Sequence, residues 1–284
     1  MRLIWKLVLP LACAAQVVIL AAAPSRSPTP TPTPVPDMVA LPPGAFAYRV
    51  SGEFTRDGQP TPAPQKTVAI ARPLAIMRHQ VTADDYRRCV DDGVCASVDG
   101  EAASDLPVVK VSWRDAQAYA AWLSRATAAS FRLPTDEEWA YAAAGRRADD
   151  GLSDGAYADP GRRVLARYDA ETRRAGAPDR EPQPIGSFGA NEHGLIDMAG
   201  NVWEWTDTCF ARVMLDARGE TAATLENCGV RIAAGRHRSY VPDFIRDARS
   251  GGCSAGAQPS NLGFRLVRDD PARGLRLLFA KAGH

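Results

Sequence analysis

Twelve residues, Gly194-Leu-Ile-Asp-Met-Ala-Gly-Asn-Val-Trp-Glu-Trp205, constrain the fold of this chain more than any other stretch. They crowd two tryptophans, two carboxylates and a Gly-Asn turn into one short run. Val202, Trp203, Glu204 and Trp205 alternate at the period of a strand. The run therefore predicts carboxylates leaving a tight turn on a rigid element, with large aromatic side chains to bury beside them.

The elements around it follow from local signals. Met38-Val-Ala-Leu-Pro-Pro-Gly-Ala-Phe46 reads as an opening strand and turn, and Lys66-Thr-Val-Ala-Ile70 as a second strand. Three helix starts share one signature: Thr82 before Asp85, Ser112 before Asp115 and Thr135 before Glu138. In each, the hydroxyl can accept from the third-position amide while the acid reaches back and meets the positive end of the helix dipole. Ala116, Tyr119, Ala120 and Leu123 give the second helix a core-facing stripe. Trp139, Ala142 and Ala143 do the same for the third, leaving Glu137 and Glu138 outward. Residues 146–184, rich in Gly, Pro and charge, read as a long irregular excursion. Short strand-like pieces follow at 212–215, 230–232 and 264–267. Few helices, many short strands and much loop make the fold class α+β.

Composition narrows the partners. A net charge of +1, from 34 basic and 33 acidic residues, provides no global field to attract nucleic acid, so none is expected as a partner. At the N-terminus, Arg2 and Lys6 precede an apolar run from Leu7 to Ala23, which fits a cleaved export signal or an uncleaved membrane anchor. Residues 24–36 alternate Pro with Thr or Ser and favour an extended linker that builds no core. The protein is thus expected in the periplasm, or anchored and facing the periplasm or outside. In that setting disulfides are the first explanation for its cysteines. Cys89 and Cys95 bracket Gly93 after a helix end and are predicted to be bridged, with Cys228 pairing with either Cys209 or Cys253.

Together with Phe131-Arg-Leu-Pro-Thr-Asp-Glu-Glu-Trp139 upstream and Asn261-Leu-Gly-Phe-Arg265 downstream, the Gly194–Trp205 run resembles the formylglycine-generating enzyme, or sulfatase-modifying factor, family. The three motifs stand in the family's order, and the resemblance spans about Met38 to Arg268. It implies a single compact, loop-rich, C-type-lectin-like domain over residues 37–268. The rest of the chain is then a signal or anchor (1–23), the linker (24–36) and a C-terminal tail (269–284).

Members that make formylglycine hold Cu(I) with two cysteines placed just before and just after a His-Arg-Ser-Tyr-like segment. Here that segment, His237-Arg238-Ser239-Tyr240, is flanked by Arg236 and Val241, and neither offers the soft thiolate that Cu(I) requires. Copper is not expected. What the resemblance then implies is an exported non-copper binding, scaffold or accessory module. The alternative is an oxidoreductase or peptide-modifying enzyme of the same superfamily, similar to the pyoverdine-maturation branch, working through another site chemistry. The resemblance further implies a structural calcium ion held by Asp197, the carbonyls of Gly200 and Val202, and Glu204. The other reading of those carboxylates is that they bond turn amides. In place of the copper centre, Arg236, His237, Arg238, Tyr240, Arg246 and Arg249 form a candidate cationic pocket, with guanidinium forks suited to carboxylate, sulfate or phosphate. Asp243 and Asp247, interleaved with them, would instead tie the arginines up as salt bridges. A small anionic ligand or an exported protein is the expected partner.

Overall fold

The computed structural model describes residues 33–98, 103–147, 159, 161–166, 169, 181–247 and 261–269, all within a unit that begins at Thr33. The expected signal or anchor, the linker up to Pro32, most of the excursion, Arg249, Cys253 and the tail beyond Asp269 lie outside the described residues.

The chain opens with strands β1 (Met38–Leu41) and β2 (Gly44–Arg49), then β3 (Glu53–Arg56), β4 (Gln59–Thr61), β5 (Gln65–Ile70) and β6 (Leu74–Met77). Helices α1 (Ala83–Asp91) and α2 (Trp113–Thr127) precede β7 (Ser130–Arg132) and α3 (Asp136–Ala143). The second half supplies β8 (Trp203–Leu215), β9 (Thr221–Ala234), β10 (Ser239–Pro242), β11 (Leu262–Gly263) and β12 (Val267–Asp269). One sheet has the order β1-β6-β12-β7, so first and last strands meet in it. A second runs β10-β9-β8-β3-β4, with β11 parallel to the start of β8, and β2 pairs with β5. This is an α+β domain with few helices and many short strands.

All three helix caps form as the hydroxyl pattern predicts, since Thr82, Ser112 and Thr135 each accept from the amide three residues on. The reciprocal half of the box is present on α2 and α3. On α1 the Asp85 carboxylate accepts instead from the Thr82 hydroxyl, at 2.8 Å. The core stripes also form: Ala116, Tyr119, Ala120 and Leu123 are buried, as are Trp139, Ala142 and Ala143. Glu138 departs from the expected outward placement. It stays at the helix start, but Arg132 grips both its oxygens, at 2.6 and 2.7 Å, and also holds Asp269. That one guanidinium ties β7, α3 and β12 together. Glu137 does face outward, pairing with Lys66.

The expected short strands at 212–215 and 230–232 lie inside a long hairpin of 13 and 14 residues. Both faces of β9 are largely exposed over its first nine residues, so the alternation that marks a half-buried strand is missing there. Other interactions carry the hairpin. Asp216 accepts from the amides of Arg218 and Glu220 at the turn, where Gly219 takes a positive φ of 82°. The Cys209–Cys228 disulfide crosses the two strands with a Cα separation of 4.5 Å. Residues Phe264 to Leu266 are fully buried but precede rather than form β12. Their carbonyls at Phe264 and Leu266 accept from Val81 and Met77, which points the Arg265 side chain into the interior. Cys89 and Cys95 are bridged at a Cα separation of 5.3 Å, as the Gly93 turn between them predicts. Among the described residues no helix is long and apolar enough to cross a membrane.

Candidate functional site

The Gly194–Trp205 run makes the turn its sequence predicts. Three residues other than glycine, Asp197, Ala199 and Asn201, take positive φ of 58°, 55° and 61°. Each is in a region that L-residues occupy at a cost, so other contacts must hold the turn. The Asp197 carboxylate accepts from the amides of Gly186 and Phe188, at 2.7 and 2.8 Å. Asn201 exchanges two hydrogen bonds with the backbone of Gln183.

At the end of the turn, strand β8 carries Glu204 into the core with no exposed surface. Arg265 meets its two oxygens side-on at 2.7 and 2.8 Å, while Trp139 Nε1 and Gln80 Nε2 each donate one further bond, at 2.9 and 2.8 Å. The remaining Arg265 donors reach the carbonyls of Met77, Arg78 and Ile196. The three motifs read from the sequence thus meet at one buried ion pair, with all parties hydrogen-bonded.

This geometry bears on calcium. A hard cation wants six to eight oxygens at about 2.4 Å. Here the Glu204 oxygens face four N–H donors, two of them from the Arg265 guanidinium, and the Asp197 oxygens face two amides. Gln80 Oε1 is buried without a donor. As arranged, the two carboxylates of the calcium set that the resemblance implies at Asp197, Gly200, Val202 and Glu204 are taken up by turn amides and an ion pair instead. The corresponding prediction is thermal. Millimolar calcium or a chelator should leave the melting temperature unchanged, whereas a ligand bound only to the folded state would raise it. A calcium-dependent rise would show that Arg265 yields its place to the ion.

Around His237–Tyr240 the structure separates residues that the sequence clusters. Arg238, one-tenth exposed, donates from Nε to Asp136 at 2.9 Å and from Nη2 to the Arg49 carbonyl. Tyr48 donates to the same Asp136 oxygen, and burial, reinforced by that carboxylate, pushes the phenol pKa far up. Arg246, in the turn after β10, reaches a different helix start, paired side-on with Asp115 at 2.8 and 2.9 Å. Burial alone would raise the Asp115 pKa, but bonds from Arg246 and Ser112 hold it below the usual carboxylate range. Tyr240 accepts from the Gly52 amide, at 2.9 Å, and stacks edge-on against Phe210. Arg236 is engaged as well, and Arg249 lies outside the described residues.

Arg238, Arg246 and Tyr240 therefore do not converge into the expected cationic pocket. The acids that neutralise Arg238 and Arg246 come from the first turns of α3 and α2. Asp243, which the sequence places among the arginines, pairs instead with Arg114.

What does form is a narrow cleft walled by Asp136, Trp139, Ala234 and Gly235, with Arg147, His237 and Arg238 at its edges. A side chain at Gly235 would strike the Trp203 ring, so glycine is what lets the indole lie against this wall. Arg147 and Asp136 are the members that sequence reasoning missed. Asp136 had a visible signal, as the first residue of α3 within the Arg132-Leu-Pro-Thr-Asp motif, but helix-start acids are commonly solvated. Arg147 sits alone at the edge of the irregular excursion, with no pattern to mark it.

The thiol chemistry can be read directly. All four cysteines among the described residues are in disulfides, including the pair that lies beside Glu226. Val241, at one of the two flanking positions, is buried.

Fold and site together define a domain of the formylglycine-generating-enzyme type. The chain belongs to the sulfatase-modifying factor enzyme 1-like domain family, whose model matches residues 24–270. It is 33% identical over 176 residues to the formylglycine-generating enzyme of Streptomyces coelicolor, covering 57% of this chain and 52% of that one. It is 32% identical over 162 residues to the bovine protein named inactive C-alpha-formylglycine-generating enzyme 2, covering 54% and 51%. The chain thus spans about half the length of these curated relatives. In structure it is similar to PvdO from Pseudomonas aeruginosa, with a TM-score of 0.52 and 24% identity over 85% of this chain and all of that one, a likeness of fold.

Proposed function

We propose that this is an exported member of the family that binds rather than oxidises, an accessory or scaffold module whose former reaction site is held by ion pairs. One observation carries the reading. The His237–Tyr240 segment is bracketed by Arg236 and Val241 where copper enzymes have thiolates, and Arg238 is bound by Asp136. The relative named inactive shows that the family includes proteins called by that name. Export is supported by the basic and apolar start of the chain, the Pro-Thr linker and two disulfides, which persist in oxidising compartments. The partner is then a small anionic ligand or another exported protein. The competing reading is a peptide-modifying oxidoreductase of the pyoverdine-maturation kind.

The test is direct. Purified protein, incubated in air with copper and a sulfatase-type cysteine peptide, should leave the peptide cysteine unconverted by mass spectrometry. Conversion to formylglycine would end the reading.

A further inference from the structure

We propose that the cleft between α3 and the end of β9 is a carboxylate-binding site, with Arg147 as the charged contact and His237 as a second polar one. The inference rests on the binding reading above and names its ligand class.

Two nearby cations are already satisfied. Arg238 is neutralised by Asp136, and Arg246 by Asp115. Arg147 differs: its guanidinium lies over the Phe46 ring, and its one hydrogen bond goes to the Ala47 carbonyl, at 2.9 Å. His237 bonds through Nδ1 to the Arg238 carbonyl, and its ring meets Trp203 edge-on at 5.4 Å. Neither has a carboxylate partner among the described residues, and both line the same cleft. The only acid in its wall is Asp136, whose charge is already matched by Arg238.

A third observation points the same way. Trp203 Nε1 is buried and has no acceptor, although buried donors are nearly always paired. The indole packs against Gly235, which forms one wall of the cleft. A group placed where a Gly235 side chain would begin lies 3.0 Å from this donor, whose ring His237 meets edge-on.

Size selects the anion. The cleft admits about one water-sized group. One oxygen of a planar carboxylate fits such a space with the other turned to the Arg147 fork, whereas a tetrahedral sulfate or phosphate brings more bulk to the same opening.

The experiment uses acetate, its neutral isostere acetamide, and inorganic sulfate, each titrated into nitrogen-15-labelled protein. The indole N–H peak of Trp203, assigned by Trp203→Phe, is the readout. Acetate should move this peak saturably and acetamide should not. Arg147→Ala should weaken acetate binding about tenfold or more, as loss of a charge-assisted contact implies. Arg147→Lys should recover part of that loss. His237→Asn, whose amide can keep the bond to the Arg238 carbonyl, should weaken binding by a smaller factor. The site is refuted by an unmoved indole peak, by equal shifts with acetamide, or by unchanged affinity in Arg147→Ala. Tighter binding of sulfate than of acetate would overturn the carboxylate assignment. Failure here is separable from failure of the binding reading, because peptide conversion with copper is scored independently on the same preparation.

Discussion

Replacing Glu204 with alanine is expected to destabilise the domain by about 3–5 kcal/mol, the usual cost of breaking a buried ion pair by removing one partner. The cause is what remains. Arg265 is fully buried and would keep its charge with no counter-ion, while Trp139 Nε1 and Gln80 Nε2 would lose their acceptor. Glu204→Gln keeps an acceptor for the indole but not the charge, so it should fall between wild type and alanine. Denaturant unfolding checks both. If the midpoint for Glu204→Ala matches wild type, the ion pair is not the keystone of the three motifs. Loss of a domain that marginal could prevent expression altogether, in which case Glu204→Gln is the variant to measure.

The second large effect is expected at Asp136. Its carboxylate, almost wholly buried, holds the guanidinium of Arg238 and the hydroxyl of Tyr48. Asp136→Ala should cost about 3 kcal/mol, because it removes the buried carboxylate that a nearly buried cation pairs with. It should also loosen the segment from Arg236 to Tyr240, whose anchor to α3 is this bond. Hydrogen exchange would register that loosening as faster exchange in β10 and at Gly52, whose amide bonds Tyr240. Asp136→Asn should cost less, since its amide oxygen can still accept from Tyr48. Unchanged exchange in β10, together with an unchanged unfolding midpoint, would show that Arg238 finds another anchor.

Much of this was legible from local signals. The hydroxyl-to-acid spacing located three helix starts because a cap is a contact between neighbours in sequence. The stripe on α2 and the small loop from Cys89 to Cys95 are local in the same sense. The long hairpin was not legible in full. Its outer half is solvated on both faces, so no alternation marks it, and a cross-strand disulfide and a side-chain-capped turn hold it instead. The cationic cluster misled for a related reason. Closeness in sequence between Arg238 and Arg246 says nothing about direction, and each is claimed by an acid about a hundred residues or more away, Asp136 and Asp115. Glu204 and Asp197 were found as the important carboxylates, yet their partners, Arg265, Trp139, Gln80 and two amides, are set by tertiary packing.

The central claim is that the copper centre has been replaced, and Cu(I) affinity tests it most directly. Titration against a chromogenic Cu(I) chelator, under reducing and oxygen-free conditions that leave the disulfides intact, should show no copper drawn by the Cys253→Ser protein. That variant removes the one cysteine that follows the replaced segment. One equivalent of copper taken from the chelator by Cys253→Ser, and lost on His237→Asn, would contradict the account.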